Sequence, residues 1–334
     1  VGRAPCTRHR WRPRAGAGPR RGGPPLRVGH TDRIVTAPIL VTGGSGQVGG
    51  ALVRQLQAAG VQVVAPTRAA FDLARPATLA AAVATVAPAA VVHCAAWTAV
   101  DAAEADERTA HIVNAEAPAA IAAACAAAGI PLVHVSTDYV FDGGAGAPFA
   151  EDAVPAPLQA YGRSKLAGER AVLASGAAAL IVRTSAVYDA RGRNFLTAIL
   201  ARARRGEPLQ VVDDQVTAPT AADAVAAALR RIVDDLRAGG AAFGRAVADG
   251  AIVHASAGGA VSWHDFAVAL LARRAGQEPV LAGAPITRTT SAAWGAPAAR
   301  PARALLGGSR LARHFGLTLA PWETQLDAVL ATLV

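Results

Sequence analysis

The sequence predicts an α/β fold: a doubly wound parallel sheet with a smaller C-terminal lobe. Three observations carry this. Short apolar runs alternate with helix-length segments from Pro38 to Thr184, the rhythm of parallel strands joined by crossover helices. The first run ends in a glycine cluster, Gly43-Gly-Ser-Gly-Gln-Val-Gly49, which opens a helix. After residue 186 the alternation loosens, as expected of a lobe that covers the crevice at the strands' carboxyl ends.

The elements follow in order. Ile39-Leu-Val-Thr42 is the first strand, and the helix behind the glycines runs to Ala59, with Gly60 as its C-terminal cap. Val61 to Ala65 forms a second strand, 75–86 a helix, and Ala90-Val-Val-His93 a third strand. An alanine-rich helix covers 103–128 and stops at Gly129, and Pro131 to Val135 is a fourth strand. A Gly/Pro/Ala loop spans 142–157, a helix 160–174, and a fifth strand 179–184. Beyond it, helices are expected at 195–205, 220–237, 262–275 and 321–333, strands at 208–212 and 251–255, and turns from Pro279 to Arg303. This divides the chain into a basic extension, 1–38, a first domain carrying the catalytic residues, 39–185, and a stretch, 186–334, that is mainly the substrate lobe.

Composition limits what the protein can be. Hydrophobic residues make up 52% of 334, enough for a full core. No uninterrupted apolar run reaches about 18 residues, so no membrane partner is expected. The three cysteines, Cys6, Cys94 and Cys125, form no CxxC pair and suit a reducing, cytoplasmic setting. No cluster has metal-ligand spacing. The net charge of +9 sits mostly in residues 1–38, where nine arginines face one acid, Asp32, leaving about +1 for the other 296. A near-neutral body gives no electrostatic reason to expect a nucleic-acid partner. The extension lacks apolar periodicity, a secretory apolar core and the serines of a transit peptide. Val1 in a chain without methionine reads as a GTG codon rendered literally, so 1–38 is expected to be disordered or non-native, with a start at Val28 or Val35.

The motifs point to dinucleotide chemistry. Gly43, Gly46 and Gly49 are spaced GxxGxxG, one residue from the dinucleotide fingerprint. Gly43 would permit the tight turn, Gly46 a close approach to pyrophosphate, and Gly49 packing of helix on sheet. The helix N-terminus would offer free N–H groups to phosphates. The second strand ends in Ala65-Pro-Thr-Arg68 with no acid for ribose hydroxyls, and Arg68 suits a 2′-phosphate. That favours NADPH, with NADH as the alternative. Tyr161 and Lys165 stand at i, i+4 on one helix face, where an ammonium would lower the phenol's pKa for proton transfer. Lys165 is the only lysine among 33 basic residues, at a place where arginine's planar group would not serve. Thr137, in Ser136-Thr-Asp-Tyr-Val-Phe141 after the fourth strand, could donate to a carbonyl oxygen. His93, His134 and His254 lie on apolar runs and read as core residues.

Together these segments resemble the extended short-chain dehydrogenase/reductases of Rossmann type, and within them the dTDP-4-dehydrorhamnose reductase family. The similarity also rests on Ala95–Asp101 with Glu104, Val113–Pro118, Arg183-Thr-Ser185, Asn194-Phe195, Asp213–Thr220, Ser262-Trp263 and Arg300-Pro301. It implies NADPH-dependent reduction of the C4 keto group of dTDP-4-dehydro-L-rhamnose, with Thr137, Tyr161 and Lys165 catalytic. The implied cofactor site comprises Gly43, Ser45, Gly46, Gln47, Val48, Gly49, Arg68, Asp72, Leu73, Ala95 and Ala96 besides Tyr161 and Lys165. Thr98, Val100, Asp101, Asp138, Gln215, Pro219, Thr220 and Arg300 would meet the dTDP-sugar, and Asn114 would support the site from behind. The family's tryptophan is Ala186 here, its glycine Thr217, and its run after Arg-Pro is Arg303 to Gly307. A glutamate that joins a magnesium-bridged dimer in some members would fall at Ala51, so Mg2+ and the choice between monomer and homodimer stay open. The alternatives are an NAD-retaining nucleotide-sugar epimerase or dehydratase and a non-catalytic NADP-binding regulatory subunit.

Overall fold

The structure, a computed structural model, describes residues 37–144 and 146–333. The expectation for the basic extension therefore lies almost wholly outside the described residues.

Six parallel strands form the central sheet: β1 (Ile39–Thr42), β2 (Val63–Val64), β3 (Ala90–His93), β4 (Leu132–Thr137), β5 (Ala179–Thr184) and a last one at Ile252–His254. Between β5 and that last strand come four short ones, β6 (Val187–Tyr188), β7 (Leu209–Val212), β8 (Val216–Thr217) and β9 (Thr220–Ala221), so Ile252–His254 is β10. The sheet order is β10-β5-β4-β3-β1-β2. The winding reverses between β1 and β3, and such a switch point opens a crevice at the carboxyl ends of the strands.

Alternation of side chains along β1 explains the two helical layers. Ile39 and Val41 face one core with Leu52, Leu56, Val225, Leu229, Phe243 and Phe315. Leu40 faces the other with Leu79, Val83, Ile121, Cys125 and Val172. Strands buried on both faces read as continuous apolar runs, which is why 39–42, 90–93 and 179–184 are so legible.

Several expectations shift. The long helix expected over 103–128 is two: 100–105, then one that begins at Glu107, where the Asp106 carboxylate accepts the Thr109 N–H at 3.0 Å as a cap. That second helix, Glu107–Ala128, contains a π turn at 112–116. By length and composition it could cross a membrane, yet half of its apolar window is buried inside the fold. Thr220–Ala221 pairs with β6 before the helix at 222–237 begins. Within the turn-rich stretch, β12 (Ile286–Thr289) pairs with β7, while β8 pairs on either side with β11 (Val261–Ser262) and β13 (Arg303–Ala304).

The chain does not change domain once at residue 185. Helices 222–237, 241–248 and 309–315 cover one face of the central sheet, and β10 forms its edge. The lobe has its own core around Leu196, Leu209, Phe266, Leu270, Trp322 and Leu326.

Candidate active site

A cleft of about 990 Å³ lies where the carboxyl ends of β1, β3, β4 and β5 meet the lobe. Its inner wall starts at the glycine turn. Gly43 has φ +72°, a conformation L side chains avoid, and its carbonyl accepts the Gly46 N–H at 2.9 Å. A Cβ on Gly49 would stand 2.3 Å from the Gly43 carbonyl oxygen, so Gly49 packs the helix against the turn itself, not against the sheet. A Cβ on Gly43 would stand 2.8 Å from the Ala95 nitrogen. These close approaches leave a backbone cradle at a helix N-terminus, a fit for a pyrophosphate. Ser45, Gly46, Gln47, Val48, Arg68, Asp72, Leu73, Ala95 and Ala96 line the same cleft. Arg68 is exposed and, among the described residues, has no carboxylate partner.

Tyr161 and Lys165 project from helix 160–174 into the cleft beside Thr137. Two backbone contacts seat that helix. The Gly162 position faces the Tyr139 carbonyl and Gly168 the Asn114 carbonyl, each 2.1 Å from where a Cβ would be. Asn114, in the π turn, accepts from the Trp97 N–H at 2.8 Å and donates to the Trp97 carbonyl and the Ser164 hydroxyl, each at 3.0 Å. The Lys165 ammonium donates to the Val135 carbonyl at 2.8 Å and lies 3.4 Å from His134 Nε2. Burial, partly countered by Glu169, brings its pKa down to about 8. The His134 ring stacks on His93 at 5.1 Å, and burial holds both imidazoles neutral, well below their ordinary value.

The tyrosine corrects one expectation. Burial pushes the Tyr161 phenol well above its ordinary value, outweighing the neighbouring Thr137 hydroxyl, which acts in the opposite direction. The lysine is turned to Val135 and His134 and does not offset this. The phenol is therefore held protonated, the form that can give a proton away.

Asp138 is buried, and desolvation raises its carboxyl to about 6. One carboxyl oxygen lies 3.0 Å from the Thr137 hydroxyl oxygen, and the other accepts from the Ser185 hydroxyl at 2.7 Å. Ser185 in turn lies 2.9 Å from Thr217 on β8, so the chain of hydroxyls reaches the lobe.

Thr98, Val100, Asp138 and Gln215 line the cleft, and four other residues expected to meet the dTDP-sugar lie outside its lining. Asp101 and Arg300 form a two-pronged ion pair at 2.6 and 2.8 Å and spend their charges on each other. Pro219 and Thr220 are buried behind the wall, where the Thr220 hydroxyl accepts the Ala257 N–H at 3.0 Å. The outer wall instead gains Ala186 (φ +45°), Arg191, Arg193, Asn194, Phe195 and Trp263. Phe195 and Trp263 pack with ring centroids 4.4 Å apart. Motif reading placed Asn194, Phe195 and Trp263 in matched segments without assigning them to the site. The arginines carried no signal in so arginine-rich a chain.

Ala51 is buried on helix 47–58 and offers no ligand atom. Asp213, His264 and Asp265 come together on the lobe, a grouping no spacing announced, and Arg288 bonds both carboxylates.

Residues 37–334 match the family described as RmlD substrate binding domain. The chain is 42% identical over 291 residues to a dTDP-4-dehydrorhamnose reductase of Burkholderia thailandensis, covering 85% of this chain and 95% of that protein. It is 39% identical over 293 residues to a probable dTDP-4,6-dihydroxy-2-methyloxan-3-one 4-ketoreductase of Streptomyces antibioticus, covering 86% and 92%. Among solved structures, a dTDP-4-dehydrorhamnose reductase of Bacillus anthracis in complex with NADP superposes with a TM-score of 0.78 at 28% identity, covering 88% of this chain and 99% of that one.

Proposed function

This chain belongs to the RmlD substrate binding domain family, and on that premise we propose that it is an NADPH-dependent reductase of the C4 keto group of dTDP-4-dehydro-L-rhamnose. The observation that carries the proposal is convergence: Thr137, Tyr161 and Lys165 line the same cleft as the glycine cradle 43–49. NADPH bound there would supply the hydride. The cradle and Arg68 would hold its phosphates, and the relative from Bacillus anthracis with NADP supports that cofactor.

The chain's own groups account for the rest. Thr137 would orient the substrate carbonyl at the end of β4. Tyr161, kept neutral by burial, would give its phenolic proton to the developing alkoxide. Lys165, charged below about pH 8, would bind ribose hydroxyls and steady the phenolate that remains. Arg191 and Arg193, exposed on the outer wall, suit the diphosphate of a nucleotide-sugar, and the rings of Phe195 and Trp263 its base.

The test is NADPH oxidation with dTDP-4-dehydro-L-rhamnose and identification of the sugar formed. Formation of dTDP-L-rhamnose with stoichiometric NADP+ supports the reading. A sugar altered without net cofactor consumption would instead favour an NAD-retaining epimerase or dehydratase. Cofactor binding without turnover would favour a regulatory subunit.

A further inference from the structure

A hydroxyl has one proton to give, and the hydrogen bonds around Thr137 show where that proton goes. The Thr137 oxygen accepts the Tyr139 N–H at 3.2 Å, lies 3.0 Å from a carboxyl oxygen of Asp138, and also neighbours the Tyr161 phenol. The other carboxyl oxygen is 2.7 Å from Ser185 Oγ. If Asp138 is a carboxylate, it can only accept. Thr137 and Ser185 must then both donate to it, and Thr137 presents the cleft with lone pairs alone. Lone pairs cannot bind a substrate carbonyl oxygen.

We propose that Asp138 is a positioning residue for the reduction: carrying a proton, its carboxyl donates to Thr137 and turns the Thr137 hydroxyl proton toward the substrate carbonyl. The inference rests on the proposed function, because it needs Thr137 to meet that carbonyl. Ser185 still donates to the second carboxyl oxygen, and Thr217 completes the chain from the lobe. No proton is consumed in this arrangement. The proton given to the alkoxide comes from Tyr161, and Asp138 keeps its own.

The surroundings favour the protonated acid. The carboxyl is buried, and among the described residues no cation pairs with it. Desolvation raises it to about 6 against the opposing hydrogen bonds from Ser185, Thr137 and the backbone. The ionisable groups facing it are Tyr161 on helix 160–174 and Tyr139 on its own turn, with the Arg300–Asp101 pair beyond Tyr139. Lys165 is engaged by Val135 and His134. The lobe contributes Thr217, which is neutral.

The decisive comparison is wild type against Asp138→Asn in the full chain. An asparagine amide donates to Thr137 at every pH, as the protonated acid does. In wild type, kcat should fall roughly tenfold as pH rises through about 6 to about 7.5, the scale of one lost hydrogen bond. Asp138→Asn, whatever its absolute rate, should stay flat over that range. The loss above about 8, from Lys165, should remain in both. Infrared titration of the enzyme alone gives a readout independent of turnover. Wild type minus Asp138→Asn should show a carboxylic acid C=O band that disappears near pH 6. Absence of that band down to about pH 4.5, a wild-type rate flat through 6, or an Asp138→Asn rate that still falls through 6 would each overturn the proposal alone. Failure of wild type to oxidise NADPH with the keto sugar at any pH would overturn the underlying functional reading, and this inference with it.

Discussion

Glu169 and Arg183 tie the catalytic helix to the sheet, and the cost of cutting that tie follows from the structure. Arg183 Nε and Nη2 donate to the two Glu169 carboxylate oxygens at 2.8 and 2.6 Å. Both side chains are about 2% exposed, and the guanidinium also lies 5.1 Å from the centre of the Phe141 ring. Glu169→Ala leaves a guanidinium buried with no counter-charge, a loss of about 3–5 kcal/mol. At about 1.6 °C per kcal/mol for a chain of this length, Tm should drop by roughly 5–8 °C. Replacing both partners, Glu169→Leu with Arg183→Met, should recover most of this, because the desolvation penalty disappears with the charges. Arg204, 45% exposed and paired with a Glu278 that Arg274 also neutralises, serves as control, and Arg204→Ala should cost about 0–1 kcal/mol. Urea denaturation followed by tryptophan fluorescence measures all four proteins. A Glu169→Ala loss under about 1 kcal/mol, or a double variant no better than the single one, would refute the reasoning. A second readout follows from Lys165, whose pKa is lowered by burial and raised by the Glu169 charge. Glu169→Gln should move the alkaline fall in activity to lower pH.

Other outcomes follow from the site. Tyr161→Phe should keep the fold and NADPH binding, and lose about two to four orders of magnitude in kcat under saturating substrate; retained turnover would remove the phenol as acid. Lys165→Arg should also fail in turnover assays despite conserving charge, because a planar guanidinium cannot reach the Val135 carbonyl and the ribose as an ammonium does. Arg68→Ala should raise KM for NADPH far more than for NADH in steady-state kinetics, and equal changes would take Arg68 away from the 2′-phosphate. Gly49→Ala places a methyl 2.3 Å from the Gly43 carbonyl oxygen, so NADPH affinity measured by fluorescence quenching should fall at least tenfold as the turn is displaced.

Much of this was readable in the chain because local chemistry decided it. The runs 39–42, 90–93 and 179–184 are apolar on both faces, and only a doubly covered strand buries them fully. The glycine turn and the Tyr161–Lys165 spacing were equally local. What stayed hidden depends on contacts far apart in sequence. Nothing near Asp101 announces that Arg300 will neutralise it, and nothing near Thr220 that Ala257 will bury it. Tyr161 was read as activated by Lys165 from spacing alone, yet burial and the competing acceptors Val135 and His134 come from β4. β10 is legible as a strand; its place beside β5 is not, because pairing partners 71 residues apart leave no local mark.

That placement of β10 matters before the protein ever meets a ligand. While the chain is being synthesised, β5 is the open margin of the sheet until Ile252–His254 arrive beside Ile181–Arg183. At about 5–20 residues per second, the interval is roughly 4–14 s. Throughout it, an unpaired apolar ladder is available to any other chain. A nascent protein halted near residue 186 would hold the cofactor cradle, Tyr161 and Lys165, yet carry an adhesive edge. The segment between β5 and β10 thus sets the length of the nascent chain's exposure to chaperones and aggregation.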